Sequence, residues 1–203
     1  PAGTPGDGDV LVGSQFDGTL TYLERGLTMS ADVRRGNKTG AFLDQRDNRT
    51  LVGAACDGAR VLDVFTATGG FALAAAAGGA RSVHLVDISQ PAIDVAKANI
   101  EQNRNIAAVR RCEIIAQQGD AFDVMESLAA SGEQFDVVII DEASMVVLPM
   151  VYWAAGRSTA QVVIVGDFRQ LPAIVKDNES TLVAEWMGIS TFHKWNIPKK
   201  LSN

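Results

Sequence analysis

The chain is poor in the features that mark several large functional classes. It has only two cysteines, Cys56 and Cys112, with neither a Cys-x-x-Cys spacing nor a histidine pair beside them. A zinc site and a disulfide scaffold are therefore excluded as organising principles. No apolar run approaches the roughly 20 residues that a membrane helix needs, and the first residues lack the basic-then-apolar order of a secretory leader. No Gly-Lys-Ser or Gly-Lys-Thr occurs, so ATP would lack its usual lysine and cradle of backbone N–H groups. Basic charge is also scarce. Eighteen Lys and Arg stand against 24 Asp and Glu, for a net charge of -6. A free-standing nucleic-acid binder is usually basic, because phosphate contacts supply most of its affinity. Any RNA contact would therefore rest on a local patch such as Arg34, Arg35, Lys38, Arg46 and Arg49.

What is present is the composition of a soluble globular domain, 47% hydrophobic and 21% charged, with a length of 203 residues that can bury a sizeable core. The reduced cysteines and the missing leader predict a cytoplasmic setting. Residues 1–9 are small, polar and turn-forming and read as a linker or tag. Residues 10–59 read as a β-hairpin, Thr19 to Glu24 and Leu27 to Arg34 about an Arg25-Gly26 turn, followed by a capping helix through Ala55.

From Arg60 onward the pattern alternates. Strands are predicted over Val61–Phe65, Ser82–Asp87, Glu113–Gln117, Phe135–Asp141 and Gln161–Gly166. Helices are predicted over Phe71–Ala77, Pro91–Gln102, Ala121–Ala130 and Met150–Ala155, with Ser89 as an N-cap. A further short helix is expected over Thr181–Met187, and Trp186, Phe192 and Trp195 read as packing residues. Strands and helices in this order form right-handed βαβ units. The fold class is therefore α/β, a Rossmann-like parallel sheet over residues 60–203 with helices on both faces and a small N-terminal β-hairpin. Little chain is left for strands beyond the fifth, so the last edge is expected to be exposed and to invite homo-oligomerisation.

In such sheets ligands bind outside the carboxyl ends of the strands. The first strand ends in Asp63-Val-Phe-Thr-Ala-Thr-Gly-Gly70, which is neither a G-x-G-x-x-G fingerprint nor a phosphate-binding loop. The second ends in Asp87-Ile88-Ser89, roughly 20 residues after the glycine turn, where a carboxylate can accept both hydroxyl hydrogens of a ribose. The third leads into Asp120-Ala121-Phe122, a carboxylate able to accept from an adenine amino group beside an aromatic ring. Each aspartate alone could equally be a helix cap. Taken together they read as a nucleoside pocket.

Three segments carry a specific resemblance. Lys38-Thr-Gly-Ala-Phe-Leu-Asp-Gln-Arg-Asp-Asn-Arg49, Val61-Leu-Asp-Val-Phe-Thr-Ala-Thr-Gly-Gly-Phe71 and Val86-Asp-Ile-Ser89 are similar to the bacterial 23S rRNA 5-methylcytosine methyltransferases, a class I S-adenosylmethionine-dependent family. The resemblance implies S-adenosylmethionine as cofactor and S-adenosylhomocysteine as product. It implies that Phe42, Gln45 and Arg46 line the cofactor, with Asp63 and Gly69 under its methionine part and Phe65 and Thr68 as further cofactor-binding residues. Asp87 would hold the ribose and Asp120 the adenine beside Phe122, with Ile88, Ser89 and Ala121 as further cofactor-binding residues. It also implies an RNA substrate and an upstream RNA-binding domain, in whose place residues 1–9 stand.

The chain departs from that family after Phe135. Asp-Pro-Pro is replaced by Asp141-Glu-Ala-Ser144, and no cysteine nucleophile follows Cys112. Val137-Val-Ile-Ile-Asp-Glu-Ala-Ser144 and Val162-Val-Ile-Val-Gly-Asp-Phe-Arg-Gln-Leu-Pro172 instead resemble the Walker B strand and motif III of superfamily 1 helicases. The expectation is a chimera joined near Phe135 to Asp141, in which a helicase-like segment completes the sheet. Asp141 is the expected orienting carboxylate at the methyl position, with Glu142 the weaker candidate. A non-catalytic scaffold and a helicase fragment are the competing functions.

Overall fold

The computed structural model describes residues 13–14, 18–34, 41–167 and 191–194. The expectations for the 1–9 linker, Arg35, Lys38, the end of the motif III-like segment, the Thr181–Met187 helix, Trp186 and Trp195 lie outside the described residues.

The chain begins with the hairpin β1 (Thr19–Glu24) and β2 (Leu27–Asp32), two residues shorter at its end than expected. Arg25 and Gly26 both take positive φ, 50° and 85°, the geometry of a two-residue hairpin turn. A short 3₁₀ turn over Leu43–Gln45 leads into α1 (Arg46–Ala54). The alternating part then runs β3 (Arg60–Val64), α2 (Gly70–Ala77), β4 (Ser82–Asp87), α3 (Gln90–Gln102), α4 (Ala107–Arg111), β5 (Glu113–Gln118), α5 (Ala121–Ala130), β6 (Phe135–Ile140), α6 (Leu148–Ala155) and β7 (Ser158–Ile164), and the last described element is the single turn α7 (Thr191–Lys194). Ser89 caps α3 as expected, its hydroxyl accepting from the Ala92 N–H.

Most boundaries shift by a residue or two, and three differences have a physical reason or consequence. Helix α6 begins two residues before Met150, because Pro149 falls in the first turn, where its missing N–H costs nothing. Strand β7 begins at Ser158 and not at Gln161: Ser158 pairs with Phe135, and the exposed Thr159 and Ala160 fall at a register shift before Gln161 pairs with Val137. The five-residue α4 was not anticipated, being too short for a 3.6-residue period to register.

The main sheet has the order β5-β4-β3-β6-β7, and every neighbouring pair is parallel. Residues 137–140 and 161–164 therefore lie in one sheet with residues 61–64. Strand residues alternate between two cores. Val61, Val83, Leu85, Val137 and Ile139 pack with Leu73, Ile93, Ile100 and Val109 of α2, α3 and α4. Leu62, Val64, Val138 and Ile140 pack with Val124, Met125, Met150 and Val151 of α5 and α6. Phe192 is buried in this second core, as expected of a packing residue.

The hairpin is fastened to the first face by polar contacts. Glu24 and Arg49 form a buried bidentate pair, Nε to Oε1 at 2.7 Å and Nη2 to Oε2 at 2.5 Å, which removes Arg49 from any basic patch. Asn99 of α3 and Asn103 at its C-cap bind the β2 backbone at Ser30 and Thr28. Helices α1 and α2 meet backbone to backbone, since a Cβ on Gly78 would lie 1.9 Å from the Gly53 carbonyl oxygen.

Candidate functional site

The order of the strands reverses between β3 and β6, and the crevice at that switch point is where an open α/β sheet holds ligands. A cavity of about 310 Å³ opens there, at the small end of the range for ligand sites. It is lined by Phe65 after β3, Asp87 and Ile88 after β4, Asp120, Ala121 and Phe122 at the start of α5, and Met145, Val146, Val147 and Met150 after β6. Six of the residues expected from sequence are thus brought together in one wall. The opposite wall, Met145 to Met150, went unanticipated. Its signal was the apolar run that directly follows the fourth strand end.

The loop after β3 is held in an unusual conformation. Phe65, Ala67 and Gly69 all have positive φ, 63°, 48° and 78°. In Phe65 and Ala67 this left-handed geometry costs roughly 1–2 kcal/mol each, so neighbouring groups must hold it. The Thr66 N–H donates to the Val86 carbonyl at 3.0 Å, and the Thr66 hydroxyl donates to Asp63 Oδ2 at 2.5 Å. The Ala67 N–H donates to Asp87 Oδ2 at 2.8 Å. Asn99 Nδ2 donates to the Thr68 carbonyl at 3.0 Å. Gly69 has its own constraint, since a Cβ there would lie 2.7 Å from Ala96 Cβ on α3.

Asp87 and Asp120 both hold backbone N–H groups, Asp120 as the N-cap of α5, and both are ligand candidates. Asp87 Oδ1 accepts from the Ser89 N–H at 2.9 Å, so each of its oxygens holds one backbone N–H. Asp120 Oδ1 accepts from the Phe122 N–H at 2.8 Å. A carboxylate oxygen accepts two hydrogen bonds, so both aspartates keep acceptor capacity toward the cavity. Two carboxylates, the Phe65 and Phe122 rings and an apolar far wall fit a nucleoside: hydroxyl and amino donors for the acids, a flat apolar base for the rings. The donor set suits such a ligand better than a cation, as no cluster of three metal-ligating side chains exists among the described residues.

Asp63 lies under the loop, completely buried, and its Oδ1 has no hydrogen-bond partner. Burial pushes its carboxyl up to about 7, opposed by the Thr66 hydroxyl and reinforced by the negative charges of Asp141 and Asp87. Asp141, at the end of β6, is buried and accepts the Glu142 N–H at 2.8 Å through Oδ1. Glu142 itself is left-handed, φ 50°.

The remaining expected residues lie apart from the cavity wall. Phe42, Gln45 and Arg46 sit around the 3₁₀ turn and the start of α1. There the Asn48 amide donates to Gln45 Oε1 at 2.7 Å, and Arg46 pairs with Asp47 at 3.3 Å. Thr68 and Ser89 act through the backbone of the loop and the cap of α3. Cys112 immediately precedes β5, at the amino end of the sheet, and burial pushes its thiol and that of Cys56 up to about 11. Neither is a reactive thiolate at neutral pH.

Residues 7–173 match the family model described as S-adenosylmethionine-dependent methyltransferase. Among curated proteins the chain is similar to a ribosomal RNA large subunit methyltransferase of Deinococcus radiodurans, 40% identical over 68% of this chain and 33% of the relative. It is also similar to ribosomal RNA large subunit methyltransferase I of Yersinia pseudotuberculosis, 37% identical over 71% of this chain and 35% of the relative. The chain thus spans about a third of the length of these curated relatives. Among solved structures, the SAM-dependent methyltransferase of Agrobacterium tumefaciens has the same fold, with a TM-score of 0.63 at 21% identity over 77% of this chain and 55% of that one.

Proposed function

The chain belongs to the S-adenosylmethionine-dependent methyltransferase family, and we propose that its crevice between β3 and β6 binds that cofactor for methyl transfer to ribosomal RNA of the large subunit. The observation that carries the reading is the row of strand ends around one cavity, Phe65, Asp87 and Asp120-Phe122, each offering what one part of an adenosine requires. When bound, the cofactor supplies a methyl group on a sulfonium, an electrophile that needs chiefly an aligned attacking atom.

Asp87 accepts the ribose hydroxyls through the free acceptor positions of its two oxygens. Asp120 accepts from the adenine amino group, and Phe122 and Ile88 cover the face of the base. Asp63 and the loop Phe65–Gly69 lie beneath the methionine part. Phe42, Gln45 and Arg46 form an outer wall contributed by the segment before α1. Asp141 orients the acceptor, with Glu142 beside it, because it is the strand-end carboxylate adjoining β3 on the side away from Asp87. An acceptor at cytosine C5 is the finer reading that the resemblance suggests. It requires a cysteine nucleophile, and neither Cys56 nor Cys112 lines the cavity.

For residues 136–203 we retain the reading of a helicase-like segment completing a methyltransferase sheet. The parallel pairing of β6 with β3 and β7 is what such a join needs. A cytoplasmic setting suits an RNA substrate, and no described helix is long and apolar enough to cross a membrane.

The test is calorimetric titration with S-adenosylhomocysteine. Wild type should bind at micromolar concentration, and Asp87→Asn should bind about 10- to 100-fold more weakly, the worth of hydrogen bonds to a charged acceptor. Labelled methyl incorporation into large-subunit ribosomal RNA then tests the acceptor. A well-folded wild type that binds no S-adenosylhomocysteine would sink the reading.

A further inference from the structure

We infer that Asn99, which is not among the residues lining the cavity between β3 and β6, is a positioning residue for the cofactor loop and makes the N-terminal hairpin part of the cofactor site. The inference rests on the cofactor reading above. Asn99 is wholly buried on α3, and both ends of its amide are engaged. Its Oδ1 accepts from the Ser30 N–H of β2 at 2.7 Å. Its Nδ2 donates to the Thr68 carbonyl at 3.0 Å, between Ala67 and Gly69. One side chain thus spans from the hairpin to a loop whose left-handed residues need external support.

The loop has two such lateral supports. Asp87 holds the Ala67 N–H from the β4 side. Asn99 holds the next carbonyl from the α3 side. A hydrogen-bonding amide is required there, since the site needs a donor toward Thr68 and an acceptor toward Ser30 at once. An aliphatic residue would leave a backbone N–H and a backbone carbonyl unpaired next to a strained loop.

The molecule contains its own control. Asn103, one helical turn along, is equally buried and also ties β2 to α3. Its Oδ1 accepts from the Thr28 N–H at 2.9 Å, and its Nδ2 donates to the carbonyls of Thr28 and Asn99, both at 2.7 Å. No hydrogen bond links it to the loop. If the two asparagines only secure the hairpin, their removal should have the same consequences. If Asn99 positions the loop, only its removal should reach the cofactor.

The experiment compares Asn99→Ala with Asn103→Ala by thermal unfolding, by titration with S-adenosylhomocysteine and by amide hydrogen exchange without ligand. Both variants should melt earlier than wild type. Only Asn99→Ala should weaken S-adenosylhomocysteine, by about tenfold, and only Asn99→Ala should speed exchange at the Ala67 and Gly69 amides. Should Asn99→Ala fail to fold, Asn99→Asp keeps the acceptor for Ser30 and removes the donor to Thr68, and the same split is expected. Equal affinities in the Asn99 and Asn103 variants overturn the inference and leave the cofactor site standing. A folded wild type that binds no S-adenosylhomocysteine overturns the cofactor site, and this inference with it.

Discussion

The two sides of β3 are built by different rules. Toward β4, the backbone at the strand ends is held by named polar side chains: Thr66 on Asp63, Asp87 on Ala67 and Ser89, Asn99 on Thr68. Toward β6 and β7, the corresponding wall is made of Met145, Val146, Val147 and Met150, and the buried Ser144 hydroxyl beside it has no partner. Directional bonds specify one conformation, whereas apolar packing specifies a volume and tolerates exchange of similar shapes. The bonded side fixes the loop after β3, and the packed side forms the far wall of the same cavity.

The largest test of this contrast is Asp63. Its folded-state carboxyl is raised to about 7 from an ordinary 3.8, so the folded chain keeps a proton that the unfolded chain has released. The contribution of this one group to stability is therefore fully present below about pH 4, declines as the pH rises toward 7 and is level above that, a loss of about 4 kcal/mol from this group. Asp63→Asn should lack this slope, and denaturant midpoints measured from pH 4 to 8 in both proteins would reveal it. A common pH profile would break the comparison at its centre. On the packed side, Met150→Ala should cost about 2–3 kcal/mol through the space it leaves, with chemical denaturation as the measurement. Volume-matched Met150→Leu should cost less than about 1.5 kcal/mol. Phe122→Ala, at a ring 44% exposed, should barely move the melting temperature yet weaken S-adenosylhomocysteine about fivefold or more, as loss of a stacking ring does. The smallest effect has the opposite sign. Ser144→Ala removes a buried hydroxyl that has no partner and should stabilise the chain by up to about 1 kcal/mol.

The same contrast explains what could be read from the sequence. The parallel sheet was legible because each buried strand is a short apolar run between turn residues, as in Val61 to Val64 or Val137 to Ile140. Asp87 and Asp120 were legible because strand-end position and residue type suffice to nominate them, and the cavity includes both. Asn99 and Asn103 were not, since an asparagine inside an amphipathic helix reads as surface until its partners on β2, some 70 residues earlier in the chain, are known. Arg49 misled for the same reason: Glu24, which neutralises it, lies 25 residues away. Met145 and Met150 hid in ordinary core composition. Local periodicity identifies elements, while the partners of buried polar groups come from topology.

The backbone contact of α1 with α2 at Gly53 and Gly78 limits how this chain can vary. A helix crossing filled by side chains can be retuned by making one residue larger and its neighbour smaller. Here nothing remains to shrink, because a Cβ on Gly53 would meet the Ala74 carbonyl oxygen at 2.7 Å and one on Gly78 the Gly53 carbonyl oxygen at 1.9 Å. The two positions are dead ends for stepwise substitution. Through α1 and its Arg49, the hairpin inherits a mounting point that sequence drift cannot adjust.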